Sequence, residues 1–293
     1  MKPPLITIAM PIRNCEKTIA PAVRSVLNQN FQDWELLVIC DVSTDGTLAE
    51  LNRFQDGRIK VLHDNHSKGL PASLNEAIDL AKGEFFARMD GDDVSYPKRL
   101  ELQLDYLRSH PEVDLVGGGV LVFEKEGRAL GKRMPPENHQ DICRKPYAGF
   151  PMSHPTYFGK TAWFRRYGYR ESAILCEDQD LLLRAFQTSH FANLPQVVLG
   201  YREQLDLMRI LRNRRFWAGI VLKEYSRNGQ LVIGWRGVLG QYLKSLVDIV
   251  AVVTGLKYHL LRHRAMPAGS EEVLQWQQVW RTVSGSESSK PSA

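Results

Sequence analysis

Short apolar runs alternate with stretches whose apolar residues recur every three or four positions through the first third of the chain. Residues 5–10 form a compact apolar run that Pro11 and Asn14 interrupt, and residues 16–28 then carry Ile19, Val23, Val26 and Leu27 at helical spacing. The same alternation repeats: an apolar run over 34–40, a helical pattern over 47–54, a short run over 59–62 and a helix over 71–82. Leu74, Ala77, Ile78 and Ala81 form the stripe of that helix, with Pro71 in its first turn and Gly83 at its end. Residues 84–89 read as a fourth strand. The pattern predicts an α/β fold: a doubly wound, mainly parallel sheet flanked by helices, with right-handed crossovers.

The second part is less regular. A helix is expected over 97–109, with Leu100, Leu104 and Leu107 facing inward. A long β run over 113–123, split by Gly117, Gly118 and Gly119, reads as a bulged central strand. A return strand over 128–133, a short helix over 138–144, a strand over 150–158 carrying His154, helices over 161–167 and 177–187, and a last strand within 191–201 follow.

In wound parallel sheets, ligands collect at the carboxyl ends of the strands. Pro11 and Asn14 follow the first expected strand, Asp41 the second, and Asp90, Asp92 and Asp93 the fourth, so all face one crevice. Neither Gly-x-Gly-x-x-Gly nor Gly-x-x-x-x-Gly-Lys occurs, so a dinucleotide fingerprint and a P-loop are both excluded. Three carboxylates over four residues repel one another and offer the hard oxygen ligands that Mg²⁺ or Mn²⁺ prefers. The plainer alternative is a solvated acidic turn with Asp93 capping the next helix.

The segment Ala87-Arg88-Met89-Asp90-Gly91-Asp92-Asp93-Val94-Ser95-Tyr96-Pro97 resembles the metal-binding segment of family 2 glycosyltransferases, which have the GT-A fold. Cys40-Asp41-Val42-Ser43-Thr44-Asp45-Gly46 is similar to the family's Asp-Asp-Gly-Ser-x-Asp, with Cys40 and Val42 as departures. Cys176-Glu177-Asp178-Gln179-Asp180-Leu181 resembles its Glu-Asp-x-Asp-Leu. The likeness spans roughly residues 5–201. It implies an inverting transferase in which Asp92, with Asp90, holds Mg²⁺ or Mn²⁺. Asp41 would read the base of a UDP- or dTDP-sugar, a carboxylate being able to accept from a pyrimidine imide N–H. Pro11, Asn14, Lys68, Asp90 and Asp93 would line the nucleotide-sugar site, and Asp178 would be the general base. Glu177 and His154 would lie near the acceptor or the diphosphate.

Each residue also has a structural reading. Asp41 suits a turn or helix cap, and Glu177, Asp178 and Asp180 suit a first helical turn. Arg184 can pair with Asp180 at i, i+4. His154 can be a core histidine, Lys68 a solvated loop lysine, and Arg88 part of a salt bridge.

Charge changes the picture at the C-terminal end. Residues 201–265 hold twelve Lys/Arg against four Asp/Glu, while the whole chain is only +5. Residues 238–261 are strongly apolar but interrupted by Lys244 and Asp248, each costing about 2.5–3.5 kcal/mol at a bilayer centre. A membrane-proximal helical extension over 202–268, flanked by Lys257, Arg262 and Arg264 and lying in the interface, is expected; a spanning helix and simple packing on the catalytic domain are the alternatives. No nucleic-acid module is present. Residues 269–293 read as a polar, disordered tail.

The four cysteines show no metal or disulfide spacing, and residues 1–10 read as a strand rather than a signal peptide. A cytoplasmic location, at the inner face of the membrane, is therefore expected. The expected partners are a nucleotide-sugar donor and a lipid-linked, lipopolysaccharide or polysaccharide acceptor. A metal-dependent phosphohydrolase and a non-catalytic nucleotide-sugar binding subunit are the rival functions.

Overall fold

The structure, a computed structural model, describes residues 2–63, 66–203, 206–256 and 265–285. It begins with β1 (Ile6–Ile12), α1 (Ile19–Leu27), β2 (Trp34–Cys40), α2 (Thr47–Leu51), β3 (Ile59–His63), α3 (Gly69–Leu80) and β4 (Phe85–Arg88). The order β3-β2-β1-β4 is parallel throughout. β1 and β2 are buried along their whole length, as strands covered on both faces must be. Alternate residues feed two layers. Ile8, Met10, Leu36 and Val38 pack against Ile19, Val23 and Val26 of α1, while Ala9, Leu37 and Ile39 pack against Leu74, Ala77 and Ile78 of α3.

Beyond β4 the sheet becomes mixed. β5 (Val94–Ser95), α4 (Arg99–Ser109), β6 (Leu115–Phe123), β7 (Ala129–Arg133), α5 (His139–Ile142), β8 (Phe158–Lys160), α6 (Thr161–Tyr167), α7 (Glu177–Ala185) and β9 (Phe191–Arg202) follow. The order continues β4-β8-β6-β9-β5, with β7 on β6. β8 is antiparallel to β4 and β6, whereas β9 runs parallel to β6. The pairing of β6 with β9 slips in register at Gly118/Gly119 and Gly119/Val120, the bulge that the glycine run foretells.

The strand expected over 150–158 forms only at its end. Pro151 and Pro155 lack the N–H a ladder requires, and His154–Thr156 is instead a 3-10 turn leading into β8. A second departure is larger. The stretch after Gly269 is not a disordered tail: Ser270–Ser284 is a helix, named α10 below. Its Trp276, Val279 and Val283 are buried against Val94, Tyr96, Leu121 and Phe123. The Trp276 indole donates to the Gly127 carbonyl at 2.6 Å and lies over Gly200, where any Cβ would come within 2.3 Å of the ring. Between these, α8 (Leu207–Arg227) and α9 (Leu231–Val253) form the expected helical extension. No helix among the described residues is long and apolar enough to cross a membrane. Lys257, Arg262, Arg264 and residues 286–293 lie outside the described residues.

Candidate active site

Three loops at the carboxyl ends of β1, β2 and β4 meet. Pro11 lies within β1, opposite Ile39, and the β1 loop turns at Asn14, which takes φ 52°, a conformation Asn tolerates. The Asn14 N–H donates to Ser43 Oγ at 3.0 Å, and its side-chain oxygen accepts from the Thr44 N–H at 2.9 Å, so this residue fastens the β1 loop to the β2 loop. Asp41, just past β2, accepts from Ser67 Oγ (2.9 Å) and from the backbone N–H groups of Lys68 (3.0 Å) and Gly69 (3.2 Å). Its carboxylate thus closes the N-terminus of α3, where orphan N–H groups need an acceptor. Lys68 itself reaches Glu76 at 2.5 Å.

The acidic turn caps β4. Gly91 sits against the end of β1, where a Cβ would approach Ile12 Cγ2 to 2.5 Å. Asp93 accepts from the Arg202 N–H at 2.9 Å, and Arg202 Nε donates to the Asp92 carbonyl at 2.9 Å, so the end of β9 pins the turn. Carboxylate oxygens of Asp90, Asp92 and Asp93 all lie within 4.8 Å of one another. Burial, and then the Asp90 charge, push Asp92 up to about 6. Burial, followed by Asp92 and Asp90, holds Asp93 well above the carboxylate range.

The second oxygen of Asp93 is buried and has no hydrogen-bond partner. Clustered hard oxygens, one of them orphaned, under mutual repulsion that a cation would relieve, fit a divalent metal.

Behind the turn lies Arg88, the last residue of β4 and 3% exposed. Its guanidinium meets Asp90 at 2.5 Å. Burial works against that charge, and the groups around it, Asp90 first and then Tyr169, Asp93 and Glu177, outweigh burial.

The first turn of α7 also reaches Arg88. Burial, and next Asp178, push Glu177 up to about 7. Asp178 is also raised, chiefly by burial, against a 3.2 Å hydrogen bond from Gln179 Nε2. Gln179 in turn holds the Phe150 N–H (2.7 Å) and carbonyl (3.2 Å). Asp180 has a different role: it is buried and pairs with Arg184 at 2.7 Å, as i, i+4 spacing foretells, and with Arg170 at 3.2 Å. His154 is buried, and its Nε2 lies 2.9 Å from the Tyr169 hydroxyl. Burial, with Arg88 adding to it, drives its pKa well down, so the imidazole is neutral.

Asp90, Asp93 and Glu177, from segments nearly ninety residues apart in sequence, therefore share the field of one buried arginine. Three participants were not legible in the sequence. Tyr157 is buried with an unpartnered hydroxyl and feels Asp178 first among the charged groups. Tyr169 is the partner of His154, and Arg202 fastens the acidic turn. Tyr157 follows a His-Pro-Thr segment, a weak signal; Tyr169 and Arg202 had none.

Comparison with known proteins gives this geometry a context. The model of the family described as "Glycosyl transferase family 2" matches residues 7–172. The chain is 36% identical over 213 residues to EpsE of Bacillus subtilis (strain 168), a protein named for glycosyl transfer, covering 70% of this chain and 76% of that one. It is 30% identical over 206 residues to the O-antigen biosynthesis glycosyltransferase WbnJ of Escherichia coli, covering 68% and 79%. Among solved structures, TarS 1–349 of S. aureus in complex with UDP-GlcNAc superposes with a TM-score of 0.61 at 19% identity, over 95% of this chain and 81% of that one. The mannosyltransferase PcManGT of Pyrobaculum calidifontis, in complex with GDP-Man and Mn²⁺, superposes with a TM-score of 0.59 at 15% identity, over 96% and 85%. The sheet and its flanking helices are thus those of the GT-A-like glycosyltransferases.

Proposed function

Since the chain belongs to glycosyl transferase family 2, we propose that it transfers a sugar, with inversion, from a UDP- or dTDP-linked donor to a hydroxyl of a lipid-linked or polysaccharide acceptor. The observation that carries this reading is that two acid groups, distant in sequence, share the field of one buried arginine, Arg88. Asp90, Asp92 and Asp93 suit the diphosphate end of a donor, and the raised carboxylate of Asp178 suits proton removal. Asp92 and Asp90 would hold Mg²⁺ or Mn²⁺, which supplies positive charge where the diphosphate leaves.

The protein's own residues do the rest. Asp178, at the N-terminus of α7 and steadied by Gln179, takes the proton of the acceptor hydroxyl as that oxygen attacks the anomeric carbon from the face opposite the diphosphate. A single displacement of this kind inverts the anomeric centre. Pro11 at the end of β1, Asn14 after it, Asp41 after β2 and Lys68 before α3 would border the crevice where the nucleotide would lie, with Asp41 beside the base. His154, hydrogen-bonded and neutral, supports the wall near the acceptor or diphosphate. The acceptor class follows from relatives such as WbnJ and from an E. coli β-1,3-glucosyltransferase, WfgD, named for a diphosphoundecaprenol-linked acceptor. Such an acceptor would place the enzyme at the cytoplasmic face of the inner membrane.

Asp178→Asn tests the assignment. General bases contribute roughly 10²–10⁴ in rate, so transfer should fall by about that factor. Metal-dependent donor binding, followed by thermal shift with UDP-sugars and Mn²⁺, should persist. Normal transfer by this variant would remove Asp178 from the mechanism. A nucleotide-binding subunit would bind donor and transfer nothing in either form, and a phosphohydrolase would release phosphate without needing an acceptor.

A further inference from the structure

Helix α9 is inside out. Its buried residues are Gly234, Gly237, Gln241, Asp248 and Ala251, small or polar, whereas Trp235, Leu239, Tyr242, Leu246, Val250 and Val253 recur at three- and four-residue spacing along an exposed stripe. The exposure is deep: Leu239 61%, Leu246 58% and Val253 79%. An apolar stripe of this length on a lone folded chain marks an interaction surface. The inward polar groups are already used: Gln241 Nε2 donates to the Ala148 carbonyl at 3.3 Å, and Asp248 pairs with Arg214 of α8 at 2.6 Å. The outward stripe is thus the side left for a partner.

We propose that this stripe docks on an anionic lipid bilayer. Charge decides between that and a second copy of the chain. Residues 207–256 carry eight Lys/Arg and two Asp/Glu. Of the two acids, Asp248 is buried and Glu224 half-buried, while Arg209, Arg212, Arg215 and Arg236 are exposed. Two such surfaces brought together would repel; anionic headgroups would attract them. Trp235 and Tyr242 are residue types that favour the headgroup level. With no helix among the described residues suited to spanning, α9 lies in the plane of the interface with its stripe in the acyl boundary.

The contact also has a direction. Gln241 holds Ala148, and two residues on, Phe150 is held at both backbone groups by Gln179, the neighbour of Asp178. The docked helix is therefore one loop from the proposed base, which would bring a lipid-linked acceptor to it. This orientation rests on the proposed function; the bilayer contact does not.

Full-length protein is sedimented with vesicles of phosphatidylcholine alone or mixed with phosphatidylglycerol. Binding to the mixed vesicles, weakened by salt and reduced about tenfold or more in Leu239→Glu/Leu246→Glu, is the expected result. Brominated lipids provide a second reading that does not depend on the folding of that variant. They should quench tryptophan fluorescence of the unaltered protein, and the quenching should shrink in Trp235→Phe. Protein that stays in the supernatant with both vesicle types overturns the proposal, as does a dimer in sedimentation velocity that the Glu substitutions dissociate. Donor binding is scored by thermal shift on the same preparations, so loss of the nucleotide-sugar reading registers separately from loss of the membrane contact.

Discussion

Replacing Arg88 with Met tests whether one buried cation and a bound metal serve the same acids. Met keeps much of the side-chain volume and deletes the charge that meets Asp90 at 2.5 Å and acts on Asp93 and Glu177. Removing one partner of a buried pair costs about 3–5 kcal/mol. Asp90 is 29% exposed, so water recovers part of that and the lower end applies. For a chain this long, a loss of about 3 kcal/mol lowers Tm by roughly 6 °C in metal-free buffer.

The same deletion leaves the acidic turn more negative and should strengthen cation binding. Against a divalent ion at about 6 Å and an effective dielectric near 20, one missing positive charge amounts to roughly 6 kcal/mol. Cut to about a quarter for screening near the surface, about 1.4 kcal/mol remains, or tenfold in Mn²⁺ affinity. Differential scanning fluorimetry with and without Mn²⁺ measures both quantities. Arg88→Met should start lower than the unaltered protein and gain about 3 °C more on adding saturating Mn²⁺. An equal or smaller metal-induced gain would refute the shared-acid argument, because Arg88 and the cation would then act on different groups.

Two further outcomes follow from the geometry. A carboxyl raised in the folded state favours folding while it keeps its proton; for Glu177 that contribution is full below the usual 4.5 and is lost as pH rises through about 7. Metal-free protein should therefore gain Tm between pH 8 and pH 6, and a Tm flat across that window would contradict the burial of Glu177. Trp276→Ala should cost about 3–5 kcal/mol in chemical denaturation, because the ring is fully buried on Tyr96 and Phe123, and a loss under 1 kcal/mol would mean that α10 is dispensable to the fold.

What the chain disclosed in advance was periodic or contiguous. Strands β1 and β2 are continuous apolar runs because both faces are covered, and helices α1 and α3 carry one apolar stripe each; such patterns are local and survive without knowledge of the fold. The acidic turn and the acids of α7 were legible as motifs. What joins them was not, since Arg88 looks like any strand-end arginine until the fold brings both Asp90 and Glu177 to act on it.

The same limit explains α10. Its sequence, Ser270-Glu271-Glu272-Val273-Leu274-Gln275-Trp276-Gln277-Gln278-Val279-Trp280, is mostly polar because it buries one narrow edge. That edge finds its site only because Gly200, some seventy-five residues earlier, leaves room for an indole. Composition averages such a helix into a tail; spacing at Trp276, Val279 and Val283 holds the signal, three apolar residues at i, i+3 and i+7. In α9 the reasoning runs the other way. Composition marks the segment as apolar, but only the structure shows that Gly234, Gly237 and its one aspartate face the protein while the large apolar side chains face outward. Helical periodicity locates a face and leaves its direction open, because a stripe built to meet lipid and a stripe built to meet a core have the same spacing; what separates them is the polarity of the residues the fold chooses to bury.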